Sequence, residues 1–182
     1  RIIDGEEARE LIGNVRFHQE NVHLTCDRAI QYIQSGEVIL IGNVVVVEDS
    51  VTMRSPHGIY HRNDRYAEAF DSVGLDDGNV ALVARYGEYL IGPKRAFFSS
   101  HVVVRDSASI VTADSLTYFR LEKRSIAVGN VIVRSRTDNM TLTGHRLEHR
   151  SSSQFSRMTE HPVMVQFDTS SAGIVDTLVV RS

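Results

Sequence analysis

The chain has 182 residues, 42% of them hydrophobic, with 20 Lys and Arg against 23 Asp and Glu and a formal net charge of -3. That is enough apolar material for a continuous core, and mild acidity without a Lys/Arg stripe excludes a nucleic-acid grip. The longest apolar run is far too short to cross a bilayer as a helix, and a single cysteine, Cys26, excludes an intrachain disulfide.

In chain order, a lead-in of residues 1–12 comes first, within which Asp4 to Leu11 reads equally as a short helix or a leading strand. From there the chain repeats itself: Val15, Val44, Val73, Val102 and Val131 are each 29 residues apart. The period divides it into units 13–41, 42–70, 71–99, 100–128 and 129–157, followed by a truncated sixth, 158–182, all forming one repeat domain. Nine positions after each Val stands an apolar residue, Leu24, Met53, Leu82, Val111 and Met140, and Gly13-Asn14-Val15 recurs as Gly42-Asn43-Val44 and Gly129-Asn130-Val131. A period of about 20 to 50 residues marks a stacked fold in which each unit buries its apolar face only against its neighbours.

Each unit reads as two strands. Val44-Val45-Val46-Val47 and His101-Val102-Val103-Val104 are β-branched and too short for helices. Val22-His23-Leu24-Thr25-Cys26 and Val80-Ala81-Leu82-Val83-Ala84 alternate, so one face is buried and the other wet. Turns fall at Glu48-Asp49-Ser50, Asp76-Asp77-Gly78-Asn79, Arg105-Asp106-Ser107 and Arg136-Thr137-Asp138. The pattern predicts an all-β chain of about ten to twelve strands, on the order of 50 Å long. The glycine or small polar residue before each in-phase Val marks a bulge or bend, so that a strand bent there can lend half its length to each of two sheets.

Motifs for chemistry are missing. There is no phosphate-binding glycine loop, Gly-x-Ser-x-Gly, His-Glu-x-x-His or Cys-x-x-Cys. His57 with His61 and His145 with His149 have a four-residue spacing that suits a helix face, but in strands such pairs lie about 13 Å apart, so no metal is expected. Cys26 shares a column with Ser55 and Ala84 and reads as a small buried hydrophobe. Asp27, Asp114, Glu48, Asp49, Asp76 and Asp77 read as turn formers and solvated edges, and Asn139-Met140-Thr141 matches a glycosylation triplet of the kind chance often supplies. The residues predict no enzyme activity and no cofactor.

The recurrent Gly-Asn-Val, the steps Leu24-Thr25-Cys26-Asp27 and Val111-Thr112-Ala113-Asp114, and the tyrosines that follow them resemble the OstA-like family, which includes the LptA type of lipopolysaccharide-transport protein, over roughly residues 11 to 158. The resemblance implies an elongated, twisted β-jelly roll, two antiparallel sheets built from the 29-residue repeats and folded like a half-open clam, with an apolar groove that holds acyl chains. It further implies a periplasmic location in a Gram-negative envelope, lipopolysaccharide or a lipid A type lipid as cargo, and head-to-tail joining with other OstA-like modules by strand-edge pairing. The groove candidates are Val15, Leu24, Leu40, Val44, Val46, Met53, Val73, Leu82, Phe98, Val102, Val104, Val111, Val131, Val133 and Met140, with Tyr60, Tyr89 and Tyr118 as a ladder at one rim. Asp71-Ser72 and Ser100-His101 replace the Gly-Asn of the family pattern, and Pro56 and Arg85 replace its Asp. Arg1 and Ser182 read as boundaries within a longer protein whose targeting segment lies outside this sequence. Two rival readings stand beside this one: a structural or adhesive envelope repeat without lipid, and a carbohydrate-binding parallel β-helix.

Overall fold

The β-branched runs and Asp/Ser/Gly turns of the sequence form strands and hairpins throughout. A computed structural model describes residues 1–19, 21–169 and 175–181, and among these there is no helix. The fourteen strands are β1 (Ile2–Ile3), β2 (Glu6–Gln19), β3 (Val22–Tyr32), β4 (Glu37–Glu48), β5 (Val51–His61), β6 (Tyr66–Asp76), β7 (Ala81–Leu90), β8 (Arg95–Arg105), β9 (Ser109–Phe119), β10 (Arg124–Ser135), β11 (Met140–Arg150), β12 (Phe155–Thr159), β13 (Val163–Thr169) and β14 (Val175–Arg181). Asp4 and Gly5 form a turn, and the rest of the ambiguous N-terminal segment runs in β2. The count exceeds ten to twelve because β1 is a two-residue strand and the strand following β11 is broken into β12 and β13.

Each strand from β1 to β11 pairs antiparallel with the next in chain order, β11 then pairs both β12 and β13, and β14 lies beyond β13. Hydrogen bonding therefore makes one unclosed sheet rather than two separate ones. The two faces of the jelly roll arise because this sheet is bent along a line that crosses every long strand.

The bend has a local cause. Two consecutive residues take positive φ at Gly13–Asn14 (83°, 47°), Gly42–Asn43 (74°, 47°), Asp71–Ser72 (67°, 134°), Ser100–His101 (65°, 60°) and Gly129–Asn130 (82°, 45°). A further pair, Glu160–His161 (64°, 61°), separates β12 from β13. The register slips at each doublet: Ile12 pairs Arg28 and Val15 pairs Cys26, so Gly13 and Asn14 together oppose Asp27 alone. This is a bulge, and it turns the strand away from its original plane. The left-handed conformation costs a non-glycine residue about 1–2 kcal/mol, least for Asn and Asp, which accounts for Gly-Asn at three of the five doublets in β2 to β10.

Side chains brace the bend from the neighbouring strand. Asn43 donates from Nδ2 to Asp27 Oδ2 at 2.8 Å, and Asn130 makes the same bond to Asp114 Oδ2 at 2.8 Å. A Cβ on Gly42 or Gly129 would run into the carboxylate of Asp27 or Asp114. Where Pro56 replaces the Asp, the carboxylate has moved into the doublet itself, and Asp71 Oδ2 sits 3.2 Å from His57 Nδ1.

We call the strand halves on the side of Val15, Val44 and Val102 wall I and those on the other side wall II. Residues of both walls share the main core: Leu82, Val102 and Val131 meet Ala69, Phe98, Leu116, Ala127 and Leu147. The largest fully buried side chains are Val44, Val73, Val102 and Val131, which lie in the crease immediately after the doublets.

The two glycines allow the brace to be measured. Gly13 and Gly42 have similar φ, yet of the two only Gly42 faces a carboxylate, and among the described residues nothing lies within 4 Å of a Cβ built on Gly13. Gly13→Ala is expected to lose about 1 kcal/mol from the left-handed backbone alone, and Gly42→Ala about 2 kcal/mol or more. Urea unfolding of both variants checks the difference.

Candidate functional site

Antiparallel pairing aligns residues of like phase into rows across the sheet. On wall I one row runs Phe17, Leu24, Val46, Met53, Leu75, Leu82, Val104, Val111, Val133, Leu142, Met164 and Val180, each paired with the next. All twelve are apolar, and at roughly 4.8 Å per strand the row is about 53 Å long. On wall II the row runs Leu11, Ala29, Leu40, Gly58, Ala69, Gly87, Phe98, Leu116, Ala127, Leu147 and Met158. No polar side chain interrupts either row.

The two walls differ in openness. Wall II is sealed, with Leu40, Ala69, Phe98 and Ala127 all buried. Most of the wall I row is half-buried, including Leu24, Val46, Met53, Leu75, Val104, Val111 and Val133, with Leu82 the buried exception. On its outermost strands Phe17 and Val180 are 41% and 46% exposed. The middle of the interior is filled: a Cβ on Gly87 would lie 3.2 Å from both the Phe98 ring and Val73 Cγ1.

The groove residues expected from sequence fall in two clusters. Val15, Leu40 and Val44 pack with Leu24 and Val46. Val73, Leu82, Phe98, Val102 and Val131 pack with Met53, Val104, Val111 and Val133. Met140 is half-buried but lies nearer the rim, because Leu142, not Met140, pairs with Val133. Sequence reasoning missed most of wall II, although Leu40, Ala69, Phe98 and Ala127 are also 29 apart. Small residues carry little hydrophobic signal, and Ala and Gly make up almost half of that row.

Tyr60, Tyr89 and Tyr118 lie on one face of wall II near its rim, on alternate strands and about 10 Å apart, with Ala67 and Ala96 on the strands between and Ser125 on the strand beyond. Tyr89 and Tyr118 pack against the main core. Beside them, the turn after β9 sends Arg120 across to the opposite rim. Its guanidinium lies 2.7 Å from Glu48 Oε2 and 3.0 Å from Asp49 Oδ2, 72 and 71 residues away along the chain. A hydrogen bond with Tyr89, ahead of the one with Glu48, pushes the Arg120 pKa up. The arrangement is a clasp tying the wall II rim to the wall I rim.

Other candidate groups have structural partners. His61 sits between Glu37 (3.3 Å) and Glu68 (2.8 Å) and stacks on Tyr66 at 4.1 Å. His145 and His149 face Glu160 and Ser156. Among the described residues no three or more His, Cys, Asp or Glu gather as a metal site. Cys26 is buried, its thiol donates to the Arg28 carbonyl at 3.3 Å, and burial raises its pKa. Asp76, Asp77 and Asp106 accept from backbone amides within their own turns. A shallow depression of about 480 Å³ at the outer side of the crease is lined by His101, Asp114 and Asn130. Asp114 and Asn130 are bonded to each other there, so the depression belongs to the brace of the bend rather than to the interior.

A bent, unclosed antiparallel sheet with an apolar interior between two rims defines an open β-jelly roll. The sequence profile described as OstA-like protein matches residues 2–100 and again 35–126, together more than half of the chain, and the chain belongs to the OstA-like family. Among solved structures it is similar to LptH, the LptA homologous periplasmic component of the conserved lipopolysaccharide transport device from Pseudomonas aeruginosa. That likeness has 14% identity and a TM-score of 0.33, and covers 87% of this chain and 94% of the other. No curated protein sequence matches.

The clasp separates stability from closure. A part-exposed ion pair contributes about 0–1 kcal/mol, so Arg120→Ala is expected to change unfolding free energy by no more than that. Freed from Glu48 and Asp49, the rims should part and expose half-buried wall I side chains, seen as increased fluorescence of a hydrophobic dye on the folded variant. Unchanged dye binding would show that the rims hold together without Arg120.

Proposed function

We propose that this chain is a non-enzymatic periplasmic module that carries lipopolysaccharide or a related lipid A type lipid between its walls and joins head to tail with like modules. The observation that carries the reading is the pair of apolar rows, unbroken across twelve strands of wall I and eleven of wall II. Membership of the OstA-like family supports the same reading, since lipopolysaccharide transport is what that resemblance implies.

Lipid enters this picture through the open side of wall I. Acyl chains are long, flexible and apolar, and a row of Leu, Val and Met side chains solvates them without a specific contact at any one strand. Charged headgroups stay outside, at the rims. At the sheet's two ends, strand edges can take up another module by backbone pairing. Because β2 and β14 are different surfaces, such contacts are head to tail and extend rather than close.

The filled middle around Phe98 and Gly87 favours a second reading, in which the interior is a dry core and the protein is a structural repeat. Photocrosslinking decides between the two. With photoreactive side chains at Leu82 and Val111, and controls at exposed Asp77-adjacent Gly78 and at Arg136, the carrier reading expects lipid A crosslinks at the first two positions only. Leu82→Glu is expected to abolish capture in protein that remains folded. No crosslink at any site in folded protein would leave the structural repeat as the better account.

A further inference from the structure

The two rims of the jelly roll carry opposite charge. On the wall I rim, Glu48, Asp49, Asp76, Asp77 and Asp106 lie in or beside the turns β4–β5, β6–β7 and β8–β9. Their carboxylates are already used: Asp76, Asp77 and Asp106 accept from backbone amides of their own turns, and Glu48 and Asp49 hold Arg120. Arg105 and Arg136 are the bases of that rim, the second bonded to the Asp106 carbonyl. On the wall II rim, Arg62, Arg65, Lys94, Arg95 and Lys123 lie in or beside the turns β5–β6, β7–β8 and β9–β10, all five exposed. Asp64 and Glu122 are the acidic residues of these turns, and Glu122 is bonded to Arg124 at 2.8 Å. Among the described residues the five bases have no side-chain hydrogen bond or ion pair.

Three of these bases form a column. Gly36, Arg65, Lys94 and Lys123 are 29 residues apart, and each takes a positive φ, of 74°, 55°, 48° and 48°. The Arg65 carbonyl accepts from the Ile91 amide at 3.1 Å and the Lys94 carbonyl from the Arg120 amide at 3.1 Å, so each turn is hydrogen-bonded to the next on that rim. Two strands separate successive turns, which puts the rungs about 10 Å apart. The turn itself does not call for a base, because the left-handed conformation favours Gly, Asn or Asp. In the linear sequence these residues form no stripe, and only the stacked turns bring them into line.

We infer that the wall II rim is the headgroup side of the groove: Arg65, Lys94 and Lys123, flanked by Arg62 and Arg95, hold the phosphates of a phosphorylated lipid whose acyl chains lie between the walls. This rests on the proposed carrier function and gives the ligand one orientation across the groove. The carboxylates of the wall I rim repel the headgroup, while the unpaired bases of the wall II rim attract it. The Tyr60, Tyr89 and Tyr118 ladder lies on the same half-strands, so a lipid held at this rim enters the interior beside the tyrosine rings. A phosphate that leaves one rung meets the next about 10 Å further on, in the direction in which the apolar rows run. The same contact therefore recurs from Arg65 to Lys123, just as the same apolar contact recurs between the walls.

The test reads crosslinking from a photoreactive residue at Val111 in the full chain as a function of lipid concentration. Two probes are compared, phosphorylated lipid A and the same lipid stripped of its phosphates. One variant carries Arg65→Asn, Lys94→Asn and Lys123→Asn, since Asn suits the left-handed turn and keeps the fold. Its half-saturation with the phosphorylated lipid is expected to rise about tenfold, because exposed charge pairs contribute little singly and three are lost. Capture of the stripped lipid should not change. A second variant, Arg16→Gln, Arg54→Gln and Arg134→Gln, removes the same charge from exposed positions on the outer face of wall I and should behave as the unaltered chain. Inorganic pyrophosphate at about millimolar concentration should leave capture intact, because the acyl chains anchor the ligand. Displacement by pyrophosphate makes the rim a free-phosphate site and overturns the headgroup assignment. Equal losses for both lipids, or an equal loss in the wall I variant, overturn it too. If the unaltered chain and the rim variant capture both lipids alike, the carrier function stands and only the rim assignment falls. If the unaltered chain captures neither lipid, both fall.

Discussion

Two left-handed residues in the middle of a strand are the constraint on which this molecule depends. A flat sheet of fourteen strands with one apolar face would leave that face in water for about 50 Å. Each doublet introduces a bulge, successive doublets fall on alternate strands, and the sheet folds along the line they make. The apolar face is then turned against itself. The strain of the left-handed doublets is offset within the crease, where a valine after the doublets in β4, β6, β8 and β10 is 2% exposed or less. Full burial of a side chain of that size contributes about 1.5–3 kcal/mol.

Folding one sheet onto itself has a consequence that stacking two separate sheets would share only in part. Among the described residues all the strand pairing runs between adjacent strands, and none joins wall I to wall II. The walls are held together by side chains: the apolar core, and at the rims contacts such as Arg120 with Glu48 and Asp49. Parting the rims therefore breaks no ladder hydrogen bond. It exposes apolar area, and a ligand that is itself apolar can replace that contact. The glycines and alanines of wall II and the longer side chains of wall I make the interior asymmetric, with Phe98 lying where Gly87 leaves room. A core of this kind can be dry when closed and still receive a chain when its walls separate.

Much of this was legible in the sequence because the repeat multiplies weak signals. One Gly-Asn pair says little, but three of them in phase, each ahead of a valine, locate the bend and the crease. The crease valines and the half-open residues of wall I, Leu24, Met53 and Val111 among them, follow from alternation alone. Wall II was harder to read. Its inward row alternates Leu and Phe with Gly and Ala, and a small residue is an equally good sign of a turn, an exposed strand or a close approach. Arg120 could not be found at all from sequence, since nothing local links it to Glu48 and Asp49 in a turn five strands away. The braces were visible only as Asp and Gly-Asn in phase, and their contact depends on the bulge geometry.

The one place where phase and structure part company shows why the period is otherwise so strict. Turn length sets the period: Arg105 pairs Ile110 across the β8–β9 turn, but Arg134 pairs Thr141 across the β10–β11 turn, a connection two residues longer. Everything beyond it is displaced by two. Leu142 takes the place that strict phase assigns to Met140, Leu147 continues the wall II row from Ala127, and the last doublet falls at Glu160–His161. A displacement of two leaves each side chain on its original face, whereas a displacement of one would move the apolar rows of the last strands outward. The rows stay unbroken to Met158 and Val180 for that reason. Selection on a continuous apolar interior thus tolerates a change in turn length, provided it is even, and a strict sequence period is a consequence of equal turns rather than a requirement of the fold.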